Sequence, residues 1–173
     1  MVNYLNNISL ELIEKARKIK LLLSDCDGVL TDTGVYYTKD GEEMKRFSHR
    51  DGMGVERLRE LADVETGFIT GENSDFVKRR AEKLKIEELH MGIKDKVEVF
   101  NSIMERLNLR PEEIAFIGDD TNDVEIMKLA GLTACPNDAT PFAKEVADIV
   151  VESNGGFGAL RDFAEIIIES KTK

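Results

Sequence analysis

Three short, mostly apolar runs, each leading straight into a polar, glycine-containing loop, constrain this chain more than any other feature. Ile19-Lys20-Leu21-Leu22-Leu23-Ser24 leads into Asp25, Thr66-Gly67-Phe68-Ile69 into Thr70-Gly71, and Ile114-Ala115-Phe116-Ile117 into Gly118-Asp119-Asp120. Runs of this length read as buried parallel strands. Helical spacing fills the intervals. It predicts helices over Ser9 to Lys18 (Leu10, Ile13, Ala16), from Asp51 (Val55, Leu58, Leu61), from Ser74 (Phe76, Val77, Ala81, Leu84), and from Lys96 (Val97, Phe100, Ile103, Met104, Leu107). Another runs through Ile126 and Leu129 to a C-cap at Gly131, and a last one carries Leu160, Phe163, Ile166 and Ile167. Leu132-Thr133-Ala134 and Asp148-Ile149-Val150-Val151 read as two further strands.

Strands alternating with helices predict an α/β fold, a Rossmann-like and mainly parallel sheet flanked by helices. Residues 1–173 read as one domain. A single protruding β-hairpin interrupts it at about residues 34–48, where Val35-Tyr36-Tyr37 and Met44-Lys45-Arg46-Phe47 flank an Asp40-Gly41 turn. Ligands in such sheets bind beyond the carboxyl ends of the strands, where the polar loops fall.

The formal net charge of −10 argues against nucleic acid or an anionic membrane as partner. No apolar run approaches the ~20 residues of a membrane span, and the N-terminus lacks the apolar core of a signal peptide. A cytoplasmic location is the expectation. Cys26 and Cys135 sit in strand contexts and read as reduced core thiols.

Asp25-Cys26-Asp27-Gly28-Val29-Leu30-Thr31-Asp32 places two carboxylates together at a strand end. Alone, the pair fits a turn as well as it fits chemistry. Chemically, an ionised Asp25 is a nucleophile for phosphorus, and Mg²⁺ beside it would let one anion approach another. Gly118-Asp119-Asp120-Thr121-Asn122-Asp123 supplies more hard oxygen ligands, or caps the next helix. Thr70 is a phosphoryl donor or an ordinary cap, and Lys96 taken alone is a solvated lysine.

Taken together and in this order, the four segments resemble the signature of the haloacid dehalogenase superfamily. The resemblance implies that Asp25 is the nucleophile. It implies that Asp27 is the general acid and base, and that Thr70 and Lys96 hold the phosphoryl oxygens. It places Mg²⁺ on the Asp25 carboxylate, the Asp27 carbonyl and Asp119, with Asp123 and Asp120 behind them. About forty residues separate Asp27 from Thr70, too few for a cap domain over the site.

Among capless members, the chain is most similar to the 3-deoxy-D-manno-octulosonate 8-phosphate phosphatases and the related nonulosonate 9-phosphate phosphatases. The likeness includes Phe47-Ser48-His49-Arg50-Asp51-Gly52 and the Gly155-Gly156-x-Gly158-Ala159-x-Arg161 stretch. It implies a phosphorylated sugar-acid substrate, glycan biosynthesis, and a homotetramer in which four hairpins form a barrel. Exposed aromatic residues on the hairpin would be covered there. After Thr70-Gly71 the octulosonate enzymes generally carry arginine, whereas this chain has Glu72. Glu72, Arg80 and Lys83 resemble the sugar-contacting set of the 2-keto-3-deoxynononate 9-phosphate phosphatases, which favours a nonulosonate 9-phosphate. Gly71 and Arg50 are further substrate-binding candidates. Two alternatives stand beside this reading: a broad-range sugar phosphatase, and a non-catalytic oligomerisation homologue linked to sugar-nucleotide synthesis.

Overall fold

The structure, a computed structural model, describes residues 4–172. The chain opens with helix α1 (Leu10–Lys18) and strand β1 (Leu21–Ser24). The hairpin β2 (Val35–Thr38) and β3 (Gly41–Lys45) precedes α2 (His49–Ala62). Next come β4 (Glu65–Ile69), α3 (Asp75–Leu84), β5 (Glu88–His90), α4 (Lys96–Leu107) and β6 (Ile114–Ile117). The C-terminal part holds α5 (Val124–Met127), β7 (Leu132–Cys135), α6 (Pro141–Val146), β8 (Ile149–Val150) and α7 (Ala159–Thr172).

The main sheet has six parallel strands in the order β5-β4-β1-β6-β7-β8. The α/β expectation holds, and β1 lies at the centre, buried along its whole length. Its side chains alternate between faces, as a strand's must. Leu22 packs with Ala16, Val55, Leu58 and Leu160 on one side. Leu21 and Leu23 pack with Phe100, Ile103 and Ile126 on the other. The chain steps outward from β1 through β4 to β5, then returns to β6 on the opposite flank of β1. That reversal opens a crevice between β1 and β6 at their carboxyl ends. Asp25 and Asp119 stand on its two sides.

Several sequence expectations need correction. β5 and α6 went unpredicted: β5 is a partly buried edge strand of Glu-Leu-His with no apolar run. For α6 a signal existed, Pro141 at its first position after Thr140. Leu10, Leu61, Leu107 and Leu129 fit helical spacing but are exposed, because each lies near a helix end or in a following turn, past the edge of the packed face. On α1 the contact residues are Leu12, Ile13 and Ala16. α5 ends at Met127, so Gly131 is not its cap; its N–H instead donates to the carbonyls of Pro111 and Ile114. Both cysteines are free and buried, as expected. Among the described residues no helix is long and apolar enough to cross a membrane.

Candidate active site

The loop after β1 turns sharply at Gly28, whose φ of +96° lies where side chains are strained. A Cβ there would also stand 2.0 Å from Asp119 Oδ2. Glycine thus lets the loops after β1 and β6 meet, and their carboxylates meet with them. The Gly155-Gly156 loop braces the same turn from below, with Gly156 N–H donating to Val29 O at 2.8 Å.

Asp25 is 4% exposed, and its carboxylate accepts a 2.6 Å hydrogen bond from Lys96 Nζ. Lys96 is the first residue of α4, capped by Asp95, and it too is 4% exposed rather than solvated. Its ammonium also donates to Asp123 Oδ1 at 2.5 Å. The other Asp123 oxygen accepts from the Asp119 and Asp120 backbone N–H groups at 2.9 and 3.3 Å. Asp123 therefore locks the Asp119 loop to Lys96. Asp120 turns away and caps the Thr121 N–H.

Oxygens of Asp25, Asp119 and Asp123 lie within 4.8 Å of one another. Burial, reinforced by Asp123, raises the Asp25 pKa to about 7 in spite of Lys96. Burial, then Asp25 and Asp123, pushes Asp119 up to about 8. Burial works against the Lys96 ammonium, but Asp25 and Asp123 outweigh it and hold its pKa above the ordinary lysine value. Three carboxylates around one ammonium leave negative charge unbalanced. All the donors are hard oxygens, so the set fits Mg²⁺ in kind and in charge.

Asp27 takes its partners from the hairpin and from its own loop. Lys45, on β3, reaches both of its oxygens at 3.0 and 2.9 Å, and Thr31 Oγ1 donates to Oδ1 at 3.2 Å. Sequence reading passed over Lys45. Sequence alternation would mislead here: it sets Met44 and Lys45 on opposite faces and would turn the apolar Met44 inward, whereas Met44 is exposed and the Lys45 side chain is buried.

Thr70 directly follows β4, the strand beside β1, and is buried. Its N–H and C=O are fixed by His90 and Ile93, and its Oγ1 accepts from the Glu72 N–H at 3.2 Å, leaving the hydroxyl proton to donate elsewhere. Gly71 and Glu72 follow on the exposed rim, and Arg50 is exposed at the start of α2. Arg80 and Lys83 are engaged apart from Asp25. Arg80 donates to Ser48 O at 2.7 Å and lies over the Phe47 ring. Lys83 shares a groove with Glu56, Arg59 and Glu65 at the start of β4, the far end of that strand from Thr70.

Residues 72–161 match the family described as haloacid dehalogenase-like hydrolase. The chain belongs to that family. It is 37% identical over 166 residues to the 3-deoxy-D-manno-octulosonate 8-phosphate phosphatase KdsC of Escherichia coli (strain K12), covering 96% of this chain and 88% of the relative. Among solved structures it resembles the 3-deoxy-D-manno-octulosonate 8-phosphate phosphatase of Yersinia pestis at 34% identity, with a TM-score of 0.90 over 95% of this chain and 88% of the other. It also resembles the phosphatase of the same name from Moraxella catarrhalis, solved with a magnesium ion, a phosphate ion and a KDO molecule. That match has 32% identity and a TM-score of 0.89, over 92% and 91% of the two chains. No cap domain stands over the loops of this haloacid dehalogenase-like hydrolase among the described residues.

Proposed function

We propose that this protein is a Mg²⁺-dependent phosphatase that hydrolyses the terminal phosphate monoester of a 3-deoxy-2-ulosonic acid. The observation that carries this is the buried Asp25 carboxylate at the end of β1, held by Lys96 and faced by Asp119 across the crevice. The curated and structural relatives above support 3-deoxy-D-manno-octulosonate 8-phosphate as the first substrate to test.

Asp25, Asp119 and the Asp27 carbonyl would hold Mg²⁺. When bound, the cation neutralises the carboxylates and the phosphoryl oxygens, so that one anion can approach another. Asp25 attacks phosphorus and forms an aspartyl-phosphate, while Asp27 gives a proton to the leaving sugar oxygen. Lys96 and the Thr70 hydroxyl bind phosphoryl oxygens and stabilise the charge that spreads onto them. A water then attacks the aspartyl-phosphate, and its proton passes to Asp27. Asp123 keeps Lys96 and the Asp119 loop in place throughout.

The presence and close placement of Asp25, Lys96 and Asp119 favour an enzyme over a non-catalytic assembly domain. Tyr36, Tyr37 and Met44 are 61, 71 and 57% exposed on the hairpin, which supports covering it in a homotetramer. In such an assembly a neighbouring subunit would complete the open site, and Arg80 and Lys83 would serve that neighbour's substrate.

Glu72 favours a second reading, a nonulosonate 9-phosphate. It stands on the rim two residues past Thr70, where the octulosonate enzymes generally carry arginine. A phosphate-release assay with Mg²⁺, using octulosonate 8-phosphate, several nonulosonate 9-phosphates and simple hexose phosphates, tests all of this. A clear preference for one ulosonic acid phosphate is expected. Equal rates on all substrates would indicate a broad-range phosphatase, and no release from any would remove the proposal.

A further inference from the structure

Asp27 carries an ion pair that the phosphatase reading does not use. The Lys45 side chain is 2% exposed and its ammonium lies 2.9 Å from Asp27 Oδ2, while the Asp27 side chain is 29% exposed. An ammonium taken this far from water needs a partner of opposite charge and good geometry. Lys45 reaches both carboxylate oxygens, so it fixes the plane of the carboxylate as well as its position. Thr31 Oγ1 holds Oδ1 from the loop itself.

The strand that delivers Lys45 is anchored as well. Its neighbour Arg46 donates to Asp32 Oδ2 at 2.9 Å and to Gly156 O at 3.0 Å, and lies 4.0 Å over the Phe157 ring. The end of the hairpin is thus tied to both loops that build the nucleophile's turn. A hairpin serving only as an assembly surface would have no need to bury a lysine against a reacting carboxylate.

We propose that Lys45 is a positioning residue for Asp27, and that it acts on the second half of the reaction, the hydrolysis of the aspartyl-phosphate. This rests on the phosphatase reading above. In that step a water oxygen forms a bond to phosphorus, the bond from phosphorus to the Asp25 oxygen breaks, and Asp25 leaves as a carboxylate. The water proton goes to Asp27, whose accepting oxygen must be held in the right direction. The ion pair with Lys45 and the Thr31 hydroxyl bond hold that oxygen in place. In the first step with p-nitrophenyl phosphate, the bond electrons leave on p-nitrophenolate, which needs no proton. Loss of Lys45 therefore falls mainly on the second step.

Stopped-flow release of p-nitrophenol by the full chain in Mg²⁺ separates the two steps. In Lys45→Met the steady-state rate should fall by roughly 10- to 100-fold, the scale of a misplaced acid–base group. The initial burst, one equivalent per site, should slow far less. Lys45→Arg should recover most of the steady-state rate. Arg46→Met, which loosens the same strand without touching Asp27, should keep the parent's ratio of burst to steady-state rate. Parallel loss of burst and steady state in Lys45→Met would overturn the inference, and so would an Arg46→Met variant with the same altered ratio. If the unaltered protein releases no p-nitrophenol, the phosphatase reading itself fails and takes the inference with it. That outcome is distinct from a turnover that ignores Lys45.

Discussion

The Cβ that Gly155 lacks would stand 1.9 Å from the carbonyl oxygen of Gly28. Two loops more than a hundred residues apart therefore meet backbone to backbone beneath the nucleophile, and no side chain fits between them.

Gly155→Ala is accordingly expected to push the Asp25–Gly28 turn out of place. Overpacking of this kind costs about 1–3 kcal/mol, a fall in Tm of roughly 2–12 °C for a chain of this size. Thermal unfolding and kcat should fall together. An alanine variant that melts and turns over like the parent would show that the loops separate freely.

Asp25→Asn keeps the shape of the side chain and its contact with Lys96 while removing the attacking carboxylate. Turnover should fall by at least roughly 10,000-fold, as when a nucleophile is deleted, with circular dichroism unchanged. Asp119→Ala should instead weaken Mg²⁺ binding, measured by calorimetry. Full activity after exhaustive chelation would contradict the metal assignment.

Asp51 offers a pH test away from the metal cluster. Burial raises its pKa to about 6 from 3.8, against the backbone N–H groups of Arg161, Gly158 and Leu160 and the charge of Arg80. Its Oδ2 is buried without a partner. A raised carboxyl pKa means that the folded state holds a proton the unfolded state has already released. Stability therefore falls as pH rises from about 4 to about 6. About one pKa unit of this, about 1.4 kcal/mol, lies between pH 5 and pH 8. Asp51→Asn keeps the Oδ1 acceptor and cannot ionise. In urea unfolding, its stability relative to the parent should improve by about that amount between the two pH values; a constant difference would refute the assignment.

Glu72→Arg tests substrate choice. Exchanging one charged hydrogen-bonding group for its opposite should shift the ratio of kcat/KM between nonulosonate 9-phosphates and octulosonate 8-phosphate by roughly tenfold toward the octulosonate. A parent that already prefers the octulosonate would remove the role given to Glu72 and leave the phosphatase standing.

Tyr37→Asp should break the assembly proposed for the hairpin, because it places a charge on the face that four copies would share. Light scattering should report a smaller species than the parent and a lower specific activity. A parent that is an active monomer at assay concentration would end the tetramer proposal.

The strands beside the crevice, the helices between them and the order of the chemical segments were all readable in the sequence. A buried strand must be apolar, and a loop carrying carboxylates must be polar, so the boundary between them falls where the composition changes. That boundary marks Asp25, Thr70 and Asp119 directly. β5 escaped because an edge strand needs no apolar run. Leu61 and Leu107 misled because helical period gives the phase of a face and not its length.

Partnership across the fold was the part only the tertiary structure decided. Lys96 reads as a surface lysine until Asp25, 71 positions away, and Asp123 close around it. Lys45 reads as one more charge on a hairpin until the hairpin folds back and buries it on Asp27. Arg80 and Lys83 share a helix face in the sequence, but packing gives one of them the Ser48 carbonyl and leaves the other in a groove at the far end of β4. The physical reason is the same each time. The apolar pattern that marks an element is written along the chain, whereas a charge acquires its role only from the opposite charges and the solvent exclusion that folding brings to it.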